Sequence, residues 1–180
     1  MTAAGAVTTV MQSLGSSLGP QTGLRSSAPH AVGNAMRDEY RILVTASRTW
    51  KNPALMWQWL DYHSLWAMDN GYREVVVIHG DADGGDQIAK LWGEVTTGAM
   101  QFPVPADWAA ACIARCAPHH RKQRRDGSWY CPAQGMYRNE RMIGLKPVVV
   151  GAFIHSNSSG AVGCAALAVA AGIRVDRFDG

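Results

Sequence analysis

A stretch of twenty residues near the middle of the chain concentrates side chains that could bind a metal ion. It reads CIARCAPHHRKQRRDGSWYC, spans residues 112–131, and holds three of the four cysteines together with two histidines. Structural zinc is held by four thiolate or imidazole ligands in a tetrahedral array, and short Cys-to-Cys spacings are usual. We therefore predict a structural zinc site with no open coordination position. Its predicted ligands are Cys112, Cys116, His119 and Cys131, with His120 as the alternative to His119.

The same stretch contains a basic run with an aromatic residue on either side. The basic side chains are Arg121, Lys122, Arg124 and Arg125, and the flanking aromatic residues are Trp108 and Trp129. The cations could contact the phosphates of a nucleic acid or of a smaller ligand, and the indole rings could stack on bases. Runs of charge are more often simply solvated, and we expect both rings to pack beneath the metal site. A nucleic-acid partner is therefore possible but not favoured.

Composition limits the class of protein. The chain has 180 residues, of which 47% are hydrophobic and 17% charged, which suits one domain with a full core. Four cysteines do not make a disulfide framework, so we expect a reducing, cytoplasmic location. The longest apolar run, residues 161–173, is too short to span a bilayer, and the N-terminus lacks a signal-peptide pattern. We expect no membrane partner, and a homo-oligomer is possible.

Two regions differ in composition. Residues 1–38 are rich in Ser, Thr, Gly, Ala and Pro and show no steady hydrophobic period, so we predict a disordered leader. Met36 opens a more conventional beginning, and either Met1 or Met36 could be the true start. Residues 39–180 are predicted to form the folded domain.

The folded domain alternates apolar runs with helical patterns. Predicted strands cover residues 41–45, 74–79, 100–104, 147–153 and 173–178, and predicted helices cover residues 53–70, 86–97, 134–143 and 160–171. Strands that are apolar throughout and alternate with helices indicate a parallel sheet covered on both faces. The prediction is a Rossmann-like, doubly wound α/β fold of about five strands. The Cys/His-rich segment, residues 108–133, is an insert before the third helix.

Three predicted loops should meet at one edge of this sheet. In doubly wound folds ligands bind beyond the carboxyl ends of the strands, and helix N-termini there offer unpaired N–H groups to an anion. Glycine and serine in these loops allow close approach to the backbone. A nucleotide or ribose-phosphate fits this combination. The loop residues predicted to bind it are Thr45, Ser47, Arg48, Gly80, Gly84, Gly85, Asp86, Ser158, Ser159 and Gly160.

The second loop, GDADGGD, excludes two familiar phosphate motifs. It is not a Walker P-loop, because no Lys-Ser/Thr pair follows the glycines, and its spacing does not match GxGxxG. Its aspartates would repel a phosphate unless they bind ribose hydroxyls or a cation. Asp86 is also placed to cap the helix that follows.

The motifs together resemble a known family. RILVTASRTW, VVVIHGDADGGDQIAKLW, PADW, GMYRNERMI, VVVGAF and SSGAVGCAALAVAAGI follow, in order and spacing, the YspA-like, cpYpsA-related branch of the SLOG superfamily. These Rossmann-like domains are related to the LOG phosphoribohydrolases and to the DprA/Smf DNA-processing proteins. The resemblance covers about residues 40–178, and it implies a nucleotide-derived ligand at the same sheet edge.

Comparison with the LOG enzymes implies further site residues and one departure. Arg138 or Arg141 stands where those enzymes carry an arginine before the fourth strand, and we add Arg138 and Asn139 to the predicted ligand-binding residues. Cys164 falls where they carry a catalytic glutamate, so their glycosidic cleavage is not expected in the same form. We predict that Cys164 is a buried small residue rather than a nucleophile.

Three functions follow from these observations. The leading hypothesis is binding of a nucleotide or nucleotide-derived small molecule, to sense, sequester or hydrolyse it. A nucleoside-phosphate hydrolase is the enzyme alternative, with Asp83 or Asp86 as the acidic group and Arg138 or Arg141 on the phosphate. A DprA-like protein that binds single-stranded nucleic acid through the basic run is the third.

Overall fold

The computed structural model describes residues 37–156 and 158–180. They form four helices and seven strands in the order β1 (Arg37–Ala46), α1 (Pro53–Asp69), β2 (Tyr72–His79), α2 (Gly85–Val95), β3 (Ala99–Pro103), β4 (Lys122–Gln123), β5 (Trp129–Tyr130), α3 (Gln134–Gly144), β6 (Val149–Ile154), α4 (Ser159–Ala170) and β7 (Arg174–Asp179). No helix in these two ranges has the length and apolar character needed to cross a membrane.

Five of the strands form one parallel sheet in the order β3-β2-β1-β6-β7, and β4 pairs with β5 in a separate antiparallel ribbon. The chain moves outward from β1 to β3, returns to β6 beside β1, and moves outward again to β7. This reversal between β1 and β6 is the point where doubly wound folds bind ligands. The predicted Rossmann-like α/β architecture is confirmed.

Alternating residues of the central strands build a core on each face of the sheet. Ile42 and Val44 of β1 pack with residues of α1 and α2, whereas Leu43 packs with residues of α3 and α4. Successive side chains of a strand point to opposite faces, so a strand covered by helices on both sides must be apolar at every position. This is why these strands appear in the sequence as unbroken apolar runs.

The first strand begins earlier than its apolar run. The prediction began at residue 41, but β1 begins at Arg37, where its first residues pair with Tyr72 and Glu74 of β2. Exposed polar residues such as Asp38 and Glu39 carry no apolar signal, and backbone pairing with β2 makes them strand. The last two residues of the predicted leader therefore belong to the sheet, and residues 1–36 lie outside the described part.

The loops after β1 and β2 are in backbone contact at the carboxyl ends of the strands, here called the upper edge of the sheet. Gly84, which precedes α2, has a φ of +83°, and a Cβ there would lie 2.0 Å from the carbonyl oxygen of Arg48. The adjacent Gly85 lies against Ala46, and its N–H donates to the carbonyl of Ser47 at 3.2 Å. The loop after β2 can therefore lie directly on the loop after β1 only because neither glycine has a side chain.

Replacing Gly84 by alanine tests this contact. Gly84→Ala should cost about 1–3 kcal/mol for a backbone conformation, φ +83° and ψ −121°, that side chains rarely adopt, and a further 1–3 kcal/mol, roughly, for the clash with Arg48. The matched control is Gly98→Ala, since Gly98 has a φ of +80° and a Cβ there meets nothing within 4 Å. Urea unfolding measures both variants, and equal losses of stability would show that the loops are not in contact.

Candidate functional site

A cavity of about 1180 Å³ opens at the carboxyl ends of β1, β2 and β6. The loops after these three strands contribute to its wall, as predicted, and α3 closes one side with Arg138 and Asn139. Pockets that hold small ligands commonly measure roughly 300–1,000 Å³. The cavity therefore has room for a ligand as large as a nucleotide.

Ser47 joins the loops that surround the cavity. Its carbonyl accepts the N–H groups of Trp50 at 3.0 Å and Gly85 at 3.2 Å, which ties the loop after β1 to the start of α2. Its hydroxyl accepts the N–H of His155 at 2.8 Å and donates to the carbonyl of the same residue at 3.2 Å. Ser47 is buried, and its bonding groups are used within the protein, so it organises the site rather than offering a free hydroxyl.

Arg138 connects α3 to the acidic loop after β2. Its guanidinium donates to the carbonyl of Gly80 at 2.5 Å and lies 3.8 Å from the Asp86 carboxylate. A Cβ on Gly80 would lie 1.5 Å from Nη1 of this guanidinium, so a larger residue there would displace the end of the arginine side chain. The Asp86 carboxylate turns back to accept the N–H of Ala82 at 3.2 Å. Asp86 thus closes its own loop, and the predicted helix-capping role is wrong because Gly84 occupies the N-cap.

The N-terminus of α4 faces the cavity, and Ser158, Ser159 and Gly160 line it. Ser158 is the N-cap residue, but its side chain makes no capping hydrogen bond. Asn139 of α3 donates to the carbonyl of Gly160 at 3.0 Å, which fixes where this helix begins. First-turn N–H groups and the helix dipole together favour an anion at such a helix end.

Most of the predicted ligand-binding residues line the cavity, and three candidates do not. Gly84 and Gly85 lie between two loops instead, and Arg141 donates to the carbonyl of Pro105 at 2.9 Å but does not itself line the cavity. Between the two candidate arginines, Arg138 is therefore the one at the site. Cys164 is fully buried, and burial raises its pKa to about 11, which fits the prediction that it is not a nucleophile.

Sequence reasoning missed several residues of the wall. They include Thr49, His155, Pro105, Trp108 and Met136. Thr49 and His155 bond to each other at 2.8 Å between the hydroxyl and Nδ1. The sequence could have indicated these two residues, because they follow directly after the predicted strands that became β1 and β6. Trp108 was expected beneath the metal site and Met136 had no signal, because the insert and α3 approach the cavity only in the folded chain.

The cysteine-rich insert forms a compact cluster of possible metal ligands. The sulfur atoms of Cys112, Cys116 and Cys131 and a ring nitrogen of His120 lie within 4.8 Å of one another. Nε2 of His120 lies 3.0 Å from the sulfur of Cys131 and 3.5 Å from that of Cys112. With zinc–sulfur bonds near 2.3 Å, tetrahedral ligand atoms lie about 3.8 Å apart. The group could hold a metal ion.

The preferred fourth ligand is corrected from His119 to His120. His119 is exposed with a left-handed backbone, φ +57°, and stands outside the cluster. Nδ1 of His120 bonds to the carbonyl of Ala117 at 2.8 Å, so Nδ1 carries the proton and Nε2 presents its lone pair to the thiols. Metal-binding histidines are commonly oriented by such a bond. Two adjacent histidines could not be distinguished by spacing alone.

The cluster is attached to α3. The Tyr137 hydroxyl lies 3.0 Å from the sulfur of Cys116, and the Arg115 guanidinium stacks over the Tyr137 ring at 4.4 Å and pairs with Glu140. Tyr137 immediately precedes Arg138 and Asn139, which reach the cavity. The arrangement of the cluster therefore bears directly on one wall of the site.

The two tryptophans near the cluster differ. Trp108 is half-buried, packs against Gly135 of α3 and accepts the N–H of Cys131 at its carbonyl, 3.1 Å away. Trp129 is 56% exposed, so the prediction that it packs beneath the metal site is wrong. Its position on the antiparallel ribbon, beyond the cluster, keeps its ring in solvent.

Burial of Asp86 gives the protein a specific pH dependence. Desolvation raises the pKa of Asp86 from 3.8 to about 6, although the amide of Ala82 and the charge of Arg138 oppose the rise. The folded state thus disfavours the ionised form, and stability from this group is complete below pH 4 and lost as the pH rises to about 6. Relative to Asp86→Asn, wild type should lose about 2–3 kcal/mol between pH 4 and pH 7. Urea unfolding at both pH values measures this, with exposed Asp83→Asn as the control, and a constant difference would contradict it.

Comparison with known proteins gives one family and one relative. The family described as the YspA, cpYpsA-related SLOG family matches residues 40–110. The Gene 61 protein of Mycobacterium phage D29 is 30% identical over 143 residues, which cover 77% of this chain and 95% of that protein. No solved structure is significantly similar. The match begins at β1 and includes the first two loops of the cavity, and the chain belongs to the YspA, cpYpsA-related SLOG family.

Proposed function

We propose that the cavity binds a nucleotide or a nucleotide-derived small molecule. The observation that carries this proposal is the convergence of three strand-end loops and α3 on one large cavity at the point where strand order reverses. Membership of the SLOG family fits a nucleotide-related ligand. The chemistry of the wall then suggests how such a ligand would lie.

The anionic part of the ligand belongs at the N-terminus of α4. The amides of Ser159 and Gly160 stand at this helix end, and the exposed Arg48 lies in the wall of the same cavity. Peptide N–H groups and a positive charge attract a phosphate. No carboxylate follows β1 or β6 in the loops that form this side of the wall.

The sugar and base of the ligand would lie against the acidic loop after β2 and the part of the wall formed by Trp108 and Met136. Asp81 and Asp83 line the cavity and can accept hydrogen bonds from ribose hydroxyls. Trp108 and Met136 provide apolar surface for a base. The wall thus has one pole for an anion and another for a sugar and base, which is the polarity of a nucleotide.

Hydrolysis of the glycosidic bond is the second candidate, favoured by the raised pKa of Asp86 in the cavity wall. Asp86 is only 4% exposed, however, and its carboxylate is engaged by Ala82 and Arg138. The exposed Asp83 is the more accessible acid. We therefore favour ligand binding without hydrolysis. Release of free base from a nucleotide would distinguish a hydrolase from a binding protein.

Gly160→Glu tests binding at this cavity. A Cβ at Gly160 meets nothing within 4 Å, and a glutamate in the first turn favours the helix, so the variant should fold. Its carboxylate would repel a phosphate, and we expect affinity for nucleoside 5′-monophosphates to fall at least about 10-fold. Calorimetric titration measures affinity, and chromatography of the same mixtures detects free base.

The control is Gly144→Glu, which adds the same charge at an exposed position outside the cavity where a Cβ also meets nothing. This variant should bind as wild type does. Absence of binding by wild type across the panel, or equal binding by Gly160→Glu, would contradict the proposal. Release of base would assign the hydrolase.

The Cys/His cluster is proposed to hold a structural zinc ion. Cys112, Cys116, His120 and Cys131 would supply a complete tetrahedral set, and bound zinc would cross-link the insert. Because Tyr137 contacts Cys116, the same cross-link would steady the helix that carries Arg138. The donor set and the bond from Nδ1 of His120 to Ala117 support this assignment.

The adjacent histidines provide a matched pair for testing the zinc site. Elemental analysis of protein purified without chelator should find zinc in wild type and in His119→Ala, and very little in His120→Ala. Of these two histidines, it is His120 that has a ring nitrogen among the thiols. Zinc-free wild type, or equal zinc in the two variants, would show that the assignment is wrong.

A further inference from the structure

The antiparallel ribbon of residues 121–130, here called the basic ribbon, carries four cations, three of them exposed. Lys122, Arg124 and Arg125 are exposed and Arg121 is half-buried. The nearby carboxylate of Asp126 accepts the N–H and hydroxyl of Ser128 and thereby shapes the turn. Within residues 37–156 and 158–180, none of the four cations forms an ion pair. The ribbon is therefore a concentrated positive surface.

Trp129 stands on one face of this ribbon. It pairs with Gln123 across the two strands, and side chains opposite each other on an antiparallel pair share a face. The Arg121 guanidinium donates to the backbone carbonyl of Trp129 at 3.1 Å, and both residues line the same groove. The ring is thus available for stacking and has a cation beside it.

A second cavity of about 500 Å³ lies beside this ring, separate from the cavity at the sheet edge. Its wall includes Trp129, Arg121, Pro118 and His119, with thiols of the cluster at one end. A single metal ion among the thiols would occupy only that end. The rest of the groove has room for a flat group stacked on the indole.

The Cys/His cluster closes the base of the ribbon. His120 immediately precedes Arg121 and Cys131 immediately follows Tyr130, and Nε2 of His120 lies 3.0 Å from the sulfur of Cys131. A two-stranded ribbon alone is marginally stable in water, so this contact is what can hold the cations and Trp129 in a fixed arrangement.

We propose that the basic ribbon binds single-stranded nucleic acid. One base stacks on Trp129 in the groove beside Arg121, and the strand passes round the narrow ribbon so that flanking phosphates contact Lys122 on the other face and Arg125 at the turn. Stacking on an exposed aromatic ring together with a positively charged track is how proteins bind single strands without sequence preference. A duplex keeps its bases stacked on one another and cannot offer a base to Trp129. This surface is independent of the ligand proposed for the sheet-edge cavity.

The test is fluorescence anisotropy of the full chain with a labelled thymidine oligonucleotide, at a series of salt concentrations. Trp129→Ala should weaken binding about 5- to 150-fold, the range expected for loss of one stacked base. The double variant Lys122→Ala/Arg125→Ala should reduce the salt slope by about 1.4, since each phosphate contact on a single strand contributes about 0.7. These two side chains make no hydrogen bond or ion pair with other described residues, so the ribbon should stay folded, and zinc content and thermal unfolding check this.

Two controls separate this surface from others. The double variant Arg73→Ala/Arg177→Ala removes two exposed charges from β2 and β7 and should bind as wild type does. Gly160→Glu, which alters the sheet-edge cavity, should also retain the oligonucleotide. The proposal is overturned if wild type does not bind at low salt, if Trp129→Ala binds equally well, or if Gly160→Glu loses binding. Equal or tighter binding of a matched duplex or of anionic phospholipid vesicles would also overturn it.

Discussion

The upper edge of the sheet depends on the buried Ser47. Parallel strands that end over an apolar core leave backbone groups that must find partners, and Ser47 provides them for three loops through its carbonyl and its hydroxyl. The loops after β1, β2 and β6 are thereby held against one another. Gly84 and Gly85 make this closeness sterically possible. A site built from loops that are tied in this way is preorganised, and a ligand need not order them.

The helix α3 transmits a second constraint from the other side. Arg138 bonds to Gly80 and Asn139 bonds to Gly160, so this one helix contacts both the acidic loop and the start of α4. Tyr137, which precedes Arg138 in the same helix, contacts the Cys/His cluster. The insert thus contacts the helix that forms one wall of the cavity. It also carries the basic ribbon, which is exposed to solvent.

The sequence was informative where one local rule decides the structure. Unbroken apolar runs predicted the five parallel strands, Asn52 and Pro53 predicted the start of α1, and the order of strands and helices predicted where the loops converge. The early start of β1 was not predictable, because its polar residues become strand only by pairing with β2. The roles of Gly84, Trp108 and His120 depend on backbone geometry or on contacts between segments that are distant in the chain. The spacing of residues along the sequence reveals neither of these.

Mapping of amide chemical shifts during titration with adenosine 5′-monophosphate tests the central claim most directly, because it shows where a nucleotide binds without requiring a reaction. We expect shifts in residues 45–49, 80–86 and 158–161 and in the first turn of α3, the segments that surround the cavity. Shifts confined to the basic ribbon, or no shifts at saturating nucleotide, would contradict the assignment of the cavity as a nucleotide site.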